Sequence, residues 1–151
     1  MKDLRLVNSY FANTSSSTSA RRVAGIAARG AGTFENIYCD VILKNNAKVA
    51  GGIVADVIDH SDNVGGATIN NCWFAGQIIT ENTNDTDVTI GGVVGRNNGH
   101  SVTISNCLFT GSISCGTKAR TANLYLGGIM GRSQSGVYCY PAYLTSMQST
   151  L

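Results

Sequence analysis

Apolar and polar residues alternate with a period of two over short stretches of this chain, and the stretches recur. Between Cys72 and Ile78, the residues Cys72, Phe74, Gly76 and Ile78 fall on one face and Trp73, Ala75 and Gln77 on the other. That is the pattern of a half-buried strand. Thr68-Ile69 ends a shorter strand before it, and Asn70-Asn71 breaks the alternation. A corner belongs there, because Asn tolerates left-handed backbone and hydrogen-bonds locally. A polar loop from Thr80 to Asp87 follows, then an apolar strand from Val88 to Val94, a turn from Gly95 to His100, and a closing strand, Val102-Thr103-Ile104.

The unit repeats. Ile69-Asn70-Asn71-Cys72-Trp73-Phe74-Ala75-Gly76-Gln77-Ile78 returns 35 residues later as Ile104-Ser105-Asn106-Cys107-Leu108-Phe109-Thr110-Gly111-Ser112-Ile113. A degraded copy, Asn36-Ile37-Tyr38-Cys39-Asp40-Val41, lies 35 residues earlier, and a fainter one, Asn8-Ser9-Tyr10-Phe11, 28 before that. A second phrase recurs between these: Ala24-Gly25-Ile26-Ala27, Gly51-Gly52-Ile53-Val54, Gly91-Gly92-Val93-Val94-Gly95 and Gly127-Gly128-Ile129-Met130-Gly131. Periods of this length mark stacked repeats sharing one core.

Stacking equal slots places the strands parallel, about 4.8 Å apart. The predicted fold is all-β, a right-handed parallel β-helix of about four rungs, each of three short strands. The repeat domain spans 1–137, with rungs near 6–35, 36–70, 71–105 and 106–137. Residues 138–151, which carry three Tyr and the only Pro, are expected to form an irregular C-terminal cap or tail.

Composition narrows this picture. Charged residues are 13% of the chain, against about 25% in ordinary domains. The net charge of +2, with scattered Lys and Arg, gives no footprint for nucleic acid. No apolar run is long enough to insert into a membrane, and no signal peptide is visible. Leu4 to Tyr10 reads as the middle of a repeat, so the expectation is a segment of a longer exported chain. Of the five Cys, Cys72 and Cys107 share a slot and Cys39 takes the slot of Phe74 and Phe109, which predicts packed thiols rather than disulfides.

The columns of the stack yield the candidate sites. Asn8, Asn36, Asn71 and Asn106 are assigned to one corner, where their side chains can form a ladder. Tyr38 and Trp73 share an outward slot with Tyr10 and Leu108, an aromatic strip able to hold a sugar or to pack beneath a loop. Arg29, Asp56, Arg96 and Arg132 form a charged column. It reads as a surface charge ladder, or as an Arg-lined strip for acidic glycans or a partner carboxylate. Tyr38, Trp73, Arg29, Arg96 and Arg132 are thus the candidate ligand-binding residues. No catalytic, cofactor or metal residues are assigned. His60 and His100 lie in polar turns, and the acidic residues Asp56, Asp59, Asp62, Asp85 and Asp87 match no calcium loop.

The phrase Gly91-Gly92-Val93-Val94-Gly95, followed by Ile104-Ser105-Asn106-Cys107-Leu108-Phe109-Thr110-Gly111, resembles the GLUG motif. Gly127-Gly128-Ile129-Met130-Gly131 is similar, and the likeness runs from about 23 to 137. The first two repeats depart from the pattern, with Ala24 and Ala27 in place of Gly and Val and Ile37 in place of Cys. The resemblance implies a bacterial exported protein with a structural or adhesive role and carries no catalytic residues.

The functional expectation is a non-enzymatic β-helical segment of a bacterial cell-surface or secreted protein, serving as adhesin or stalk. Its expected partners are surface glycans or proteins, with end-to-end self-association in view. Two alternatives stand beside it: a carbohydrate-active β-helix enzyme or its binding module, and a self-assembling fibre or phage-tail piece.

Overall fold

The computed structural model describes residues 1–14, 22–46, 48–58, 65–81, 87–116, 122–134, 137–139 and 143–144, with no helix among them. The first circuit consists of β1 (Lys2–Asn13), β2 (Arg22–Ala24) and β3 (Ala27–Arg29). The second consists of β4 (Gly32–Asn45), β5 (Val49–Gly51) and β6 (Val54–Val57). The third holds β7 (Ala67–Phe74), β8 (Gln77–Thr80), β9 (Val88–Gly91) and β10 (Val94–Asn97). The fourth holds β11 (Val102–Ser105), β12 (Leu108–Phe109), β13 (Ser112–Cys115), β14 (Leu124–Gly127) and β15 (Met130–Ser133). β16 (Val137–Cys139) and β17 (Tyr143–Leu144) begin a further level.

Each strand pairs in parallel with its equivalent one circuit on. β2, β5, β9 and β14 form one four-stranded sheet, β3, β6, β10 and β15 another, and the remaining nine strands the first and broadest sheet. The chain is a parallel β-helix, as the 35-residue repeat requires. Register follows the repeat residue by residue: Thr33 lies beside Thr68 and Thr68 beside Thr103, while Cys39 lies beside Phe74 and Phe74 beside Phe109.

The interior is built from columns of like residues. Phe34, Ile69 and Ile104 are buried in one column, and Leu43, Ile78 and Ile113 in another. The Phe74 and Phe109 rings stack 6.1 Å apart and 6° from parallel. Ile53 and Val93 are fully buried, with Ile26 and Ile129 packed against the same core. The glycines before Ile26, Ile53 and Val93 have a steric reason. A Cβ on Gly52 would overlap the Gly92 carbonyl and the Phe74 ring, and one on Gly92 would overlap the Gly128 carbonyl and the Phe109 ring. The backbone therefore lies directly against the aromatic column, a close approach open only to glycine.

Three features differ from the sequence reading. At two of the Asn corners the strand bends without a break, β7 running through Asn71 and β4 through Asn36, whereas at Asn106 it stops between β11 and β12. A single left-handed residue turns the chain while its neighbours keep their ladder partners, Glu35 beside Asn70 and Ile37 beside Cys72.

The second difference is at the N-terminal rung, whose corner is Asp3 and not Asn8. Lys2 lies beside Glu35 and Leu4 beside Ile37, which sets Asp3 level with Asn36. Asn8 instead occupies a bulge between Val7 and Ser9, at the next bend. Both residues are left-handed, with φ of 53° and 54°. Asp and Asn tolerate that conformation equally, so residue type alone does not say which bend a residue serves.

The third is the C-terminal segment expected to be irregular from 138. Val137–Cys139 and Tyr143–Leu144 pair in parallel with β11 and β12, extending the first sheet. The rest of 138–151 lies outside the described residues.

Candidate functional site

The first sheet bends at its left-handed corner, and the residues just beyond the bend line a groove along the helix axis. Corner residues Asp3, Asn36 and Asn71 form one wall, with φ of 53°, 56° and 50°. Two residues further along each strand, Arg5, Tyr38 and Trp73 form the other wall, side by side in register. The groove is open and encloses about 370 Å³.

The corner wall is a hydrogen-bonded ladder. Asn71 Nδ2 donates to Asn36 Oδ1 at 2.9 Å, and Asn36 Nδ2 donates to Asp3 Oδ1 at 2.7 Å. The ladder changes course above Asn71. Asn106 Nδ2 donates to Asn70 Oδ1 at 3.1 Å, where Ser105 Oγ also donates at 2.9 Å. Among the described residues, the Asn71 side-chain oxygen Oδ1 therefore receives no amide from the rung above.

The aromatic wall is fixed from both ends. Tyr38 and Trp73 meet edge to face, with centroids 4.9 Å apart and planes at 80°. The Arg5 guanidinium lies over the Tyr38 ring, 5.1 Å from its centroid. Trp73 Nε1 donates to Thr110 Oγ1 on the next rung at 2.7 Å, while the residue as a whole stays 41% exposed. Indole is thus held in one orientation with much of its surface in solvent. Tyr10 is not in this column. Asn8 at the bulge shifts it beside Ile42, so the expected strip loses Tyr10, keeps Leu108 and gains Arg5.

The charged column is real in its register. Arg29 lies beside Asp56, Asp56 beside Arg96, and Arg96 beside Arg132. It is not the solvated surface ladder expected. Asp56 is fully buried, and its ion-pair partners among the described residues are Arg22 and Arg96. Arg96 makes two hydrogen bonds, Nε to Oδ1 at 3.1 Å and Nη2 to Oδ2 at 2.7 Å, and Arg22 Nε donates to Oδ2. Burial alone pushes the Asp56 carboxyl up, but the hydrogen bonds and charges of the two guanidinium groups outweigh it and hold the carboxyl below its ordinary range.

Arg22 comes from the second sheet and Asp56 from the third. The sheets fold toward one another at the Gly-Gly corner, so the Arg22, Val49, Thr89, Tyr125 column faces the Asp56, Arg96, Arg132 column. Val49 and Thr89 are accordingly buried outside the main core. At the next level Arg132 lies over the Tyr125 ring, 4.6 Å from its centroid, with Asp87 3.7 Å away. Of the three candidate arginines, Arg96 and Arg132 are engaged inside this cleft, whereas Arg29 is exposed beside Asp56 without joining its ion pairs.

Cys39, Cys72, Cys107 and Cys115 are free thiols, the first three buried. Burial, with a smaller contribution from Asp40, pushes the Cys39 thiol up to about 12. The adjoining Cys107 thiol and burial hold Cys72 well above a free thiol. His100 sits in a turn where its backbone N–H donates to Asn97 Oδ1 at 3.0 Å. His60, Asp59, Asp62 and Asp85 lie outside the described residues.

Set against known proteins, the chain matches no family model, no curated protein and no solved structure.

Proposed function

We propose that this chain is a non-enzymatic β-helical segment of a bacterial cell-surface or secreted protein, a stalk that presents an adhesive face to a glycan or protein. The interchangeable interior of its rungs carries this reading: like residues lie in register from level to level, Cys39 beside Phe74 and Phe74 beside Phe109. A rod built this way lengthens by whole rungs without redesigning its core. The likeness to the GLUG phrase supports the same assignment.

Among the described residues, several carboxylates are held in ion pairs. Asp56 holds Arg22 and Arg96, Glu35 holds Lys2 at 2.7 Å, and Glu81 holds Lys44 at 3.1 Å. The test is an array of glycans and matrix proteins probed with the chain, combined with light scattering and a polysaccharide-cleavage panel. Binding by a monomer without cleavage is expected. Release of new chain ends from any polysaccharide would establish the enzyme instead.

A second reading, end-to-end assembly, rests on the N-terminal rung. Among the described residues β1 pairs along one edge only, with β4. Leu4 and Phe11, which end interior columns, are 36% and 38% exposed there, while Ile37 and Leu43 one rung deeper are buried. Such an edge can take a further strand, from a preceding part of the same protein or from a second copy. Concentration-dependent growth in light scattering would favour it.

A further inference from the structure

We infer that the groove between the Asp3–Asn36–Asn71 ladder and the Arg5–Tyr38–Trp73 column is a binding site for a neutral oligosaccharide. The inference rests on the adhesive-stalk reading above and names the ligand class of one face. Three observations carry it.

The first is the indole. Trp73 is 41% exposed, yet its N–H is committed to Thr110 and its ring is braced by Tyr38. An exposed aromatic held in one orientation loses little conformational freedom on binding and offers a flat apolar surface. The C–H face of a pyranose ring has that shape and chemistry.

The second is the polar wall. Hydroxyl groups need both donors and acceptors at fixed positions. Asn71 Oδ1 is an acceptor left open where the ladder diverts to Asn70, and it lies two residues from the indole on the same strand. Asn36 and Asp3 continue amide and carboxylate groups along the groove, one per rung. A few placed polar groups beside an aromatic surface set the orientation of a small ligand.

The third is charge. Among the described residues, the groove lining carries one carboxylate, Asp3, and one guanidinium, Arg5. The two cancel, and Arg5 is already drawn over the Tyr38 ring. The arginine cleft, where an anionic sugar would be sought, is filled by Asp56 and Tyr125. A neutral, polyhydroxylated ligand fits the groove better than an acidic one. A polar corner residue and a side chain with a flat face recur on three successive rungs, as Asp3 with Arg5, Asn36 with Tyr38 and Asn71 with Trp73, so a chain of sugars running along the axis meets related groups at each step.

Trp73 is the only tryptophan in the chain, so its fluorescence reports on the groove alone. The experiment titrates cellotetraose, chitotetraose, maltotetraose and, as the acidic comparison, sialyllactose into the full chain while recording Trp emission. Tyr38→Ala removes the brace. Asn71→Gly removes the acceptor but keeps a residue suited to left-handed backbone, and circular dichroism checks that both variants fold. The expected result is saturable emission change with at least one neutral tetrasaccharide, and affinity lowered about tenfold or more in both variants. No saturation with any neutral sugar, a response confined to sialyllactose, or affinity unchanged in either variant would overturn the inference. Array binding that persists in both variants would leave the stalk reading standing with its adhesive face elsewhere.

Discussion

Asp56 and Arg96 lie side by side on adjacent rungs, and the carboxylate, fully buried, accepts two hydrogen bonds from the guanidinium, at 3.1 and 2.7 Å. Arg22 completes the cluster from the rung on the other side. Three levels of the helix are thereby clasped from outside the main core. Asp56→Ala leaves two guanidinium groups without their buried counter-charge, and breaking such a cluster costs about 3–5 kcal/mol. Urea denaturation should show a loss of that size, and a loss under about 1 kcal/mol would mean that water screens the cluster.

The same cluster sets an acid limit. The folded-state carboxyl of Asp56 sits below its ordinary value of 3.8, so its stabilisation is fully present above that value and disappears as pH falls through the lower folded value. Stability should be nearly level from neutral pH down to about pH 4 and then fall. Asp56→Asn should flatten the fall. Glu35 titrates in the same direction through Lys2, but it pairs at the surface, where such pairs contribute little. Denaturation midpoints against pH for both proteins test this, and parallel curves would show that Asp56 does not set the acid limit.

At Asn71 the backbone is left-handed, with φ of 50°. Asn71→Val forces a β-branched residue into that region, at a cost of about 1–2 kcal/mol, and removes one ladder bond. Asn71→Gly should cost less than Asn71→Val, because glycine adopts the conformation freely. Equal losses in thermal unfolding would show that the ladder bond, not the backbone, matters here.

Gly92 lies against the Gly128 carbonyl and the Phe109 ring with no space for a methyl group. Gly92→Ala should destabilise by about 1–3 kcal/mol, typical of an overfilled interior. The Gly99→Ala change meets open space, but φ there is 94°, so any cost at that turn is conformational alone. Comparing the two by denaturation separates crowding from strain.

Thiol labelling gives a further check. Cys39, Cys72 and Cys107 are buried and Cys115 is partly exposed. With its thiol held near 12, Cys39 presents almost no thiolate at neutral pH. Of these four, a thiol reagent should modify Cys115 first in the native protein and the other three only with denaturant. Rapid native labelling of Cys72 or Cys107 would contradict the packing.

The helix was legible because its columns are written in residue type. Trp73, Leu108 and Tyr38, or Thr33, Thr68 and Thr103, align once the 35-residue offset is applied, and the structure pairs them so. Two parts of the site were not legible, each for a geometric reason. The chain has two bends that accept left-handed residues, so Asn8 resembled a corner that belongs to Asp3. Taking Asn8 for that corner puts Tyr10 in the aromatic column and hides Arg5, whereas the register sets Arg5 beside Tyr38. The second is the angle at the Gly-Gly corner. Arg22, Val49, Thr89 and Tyr125 can be read as one column and Asp56, Arg96 and Arg132 as another, but only the fold of one sheet toward the other makes the columns meet. Alternation along a strand records which side a residue is on, not which other sheet that side faces.

Register between rungs is the claim on which every column depends, and paired spin labels measure it. Nitroxides on Thr68→Cys and Thr103→Cys, in a Cys115→Ser, Cys139→Ser background, sit on neighbouring strands as direct partners. Adjacent strands are about 4.8 Å apart, so the doubly labelled protein should show strong dipolar broadening in its room-temperature spectrum. A spectrum equal to the sum of the two single-label spectra would place Thr68 and Thr103 apart and contradict the stacked helix.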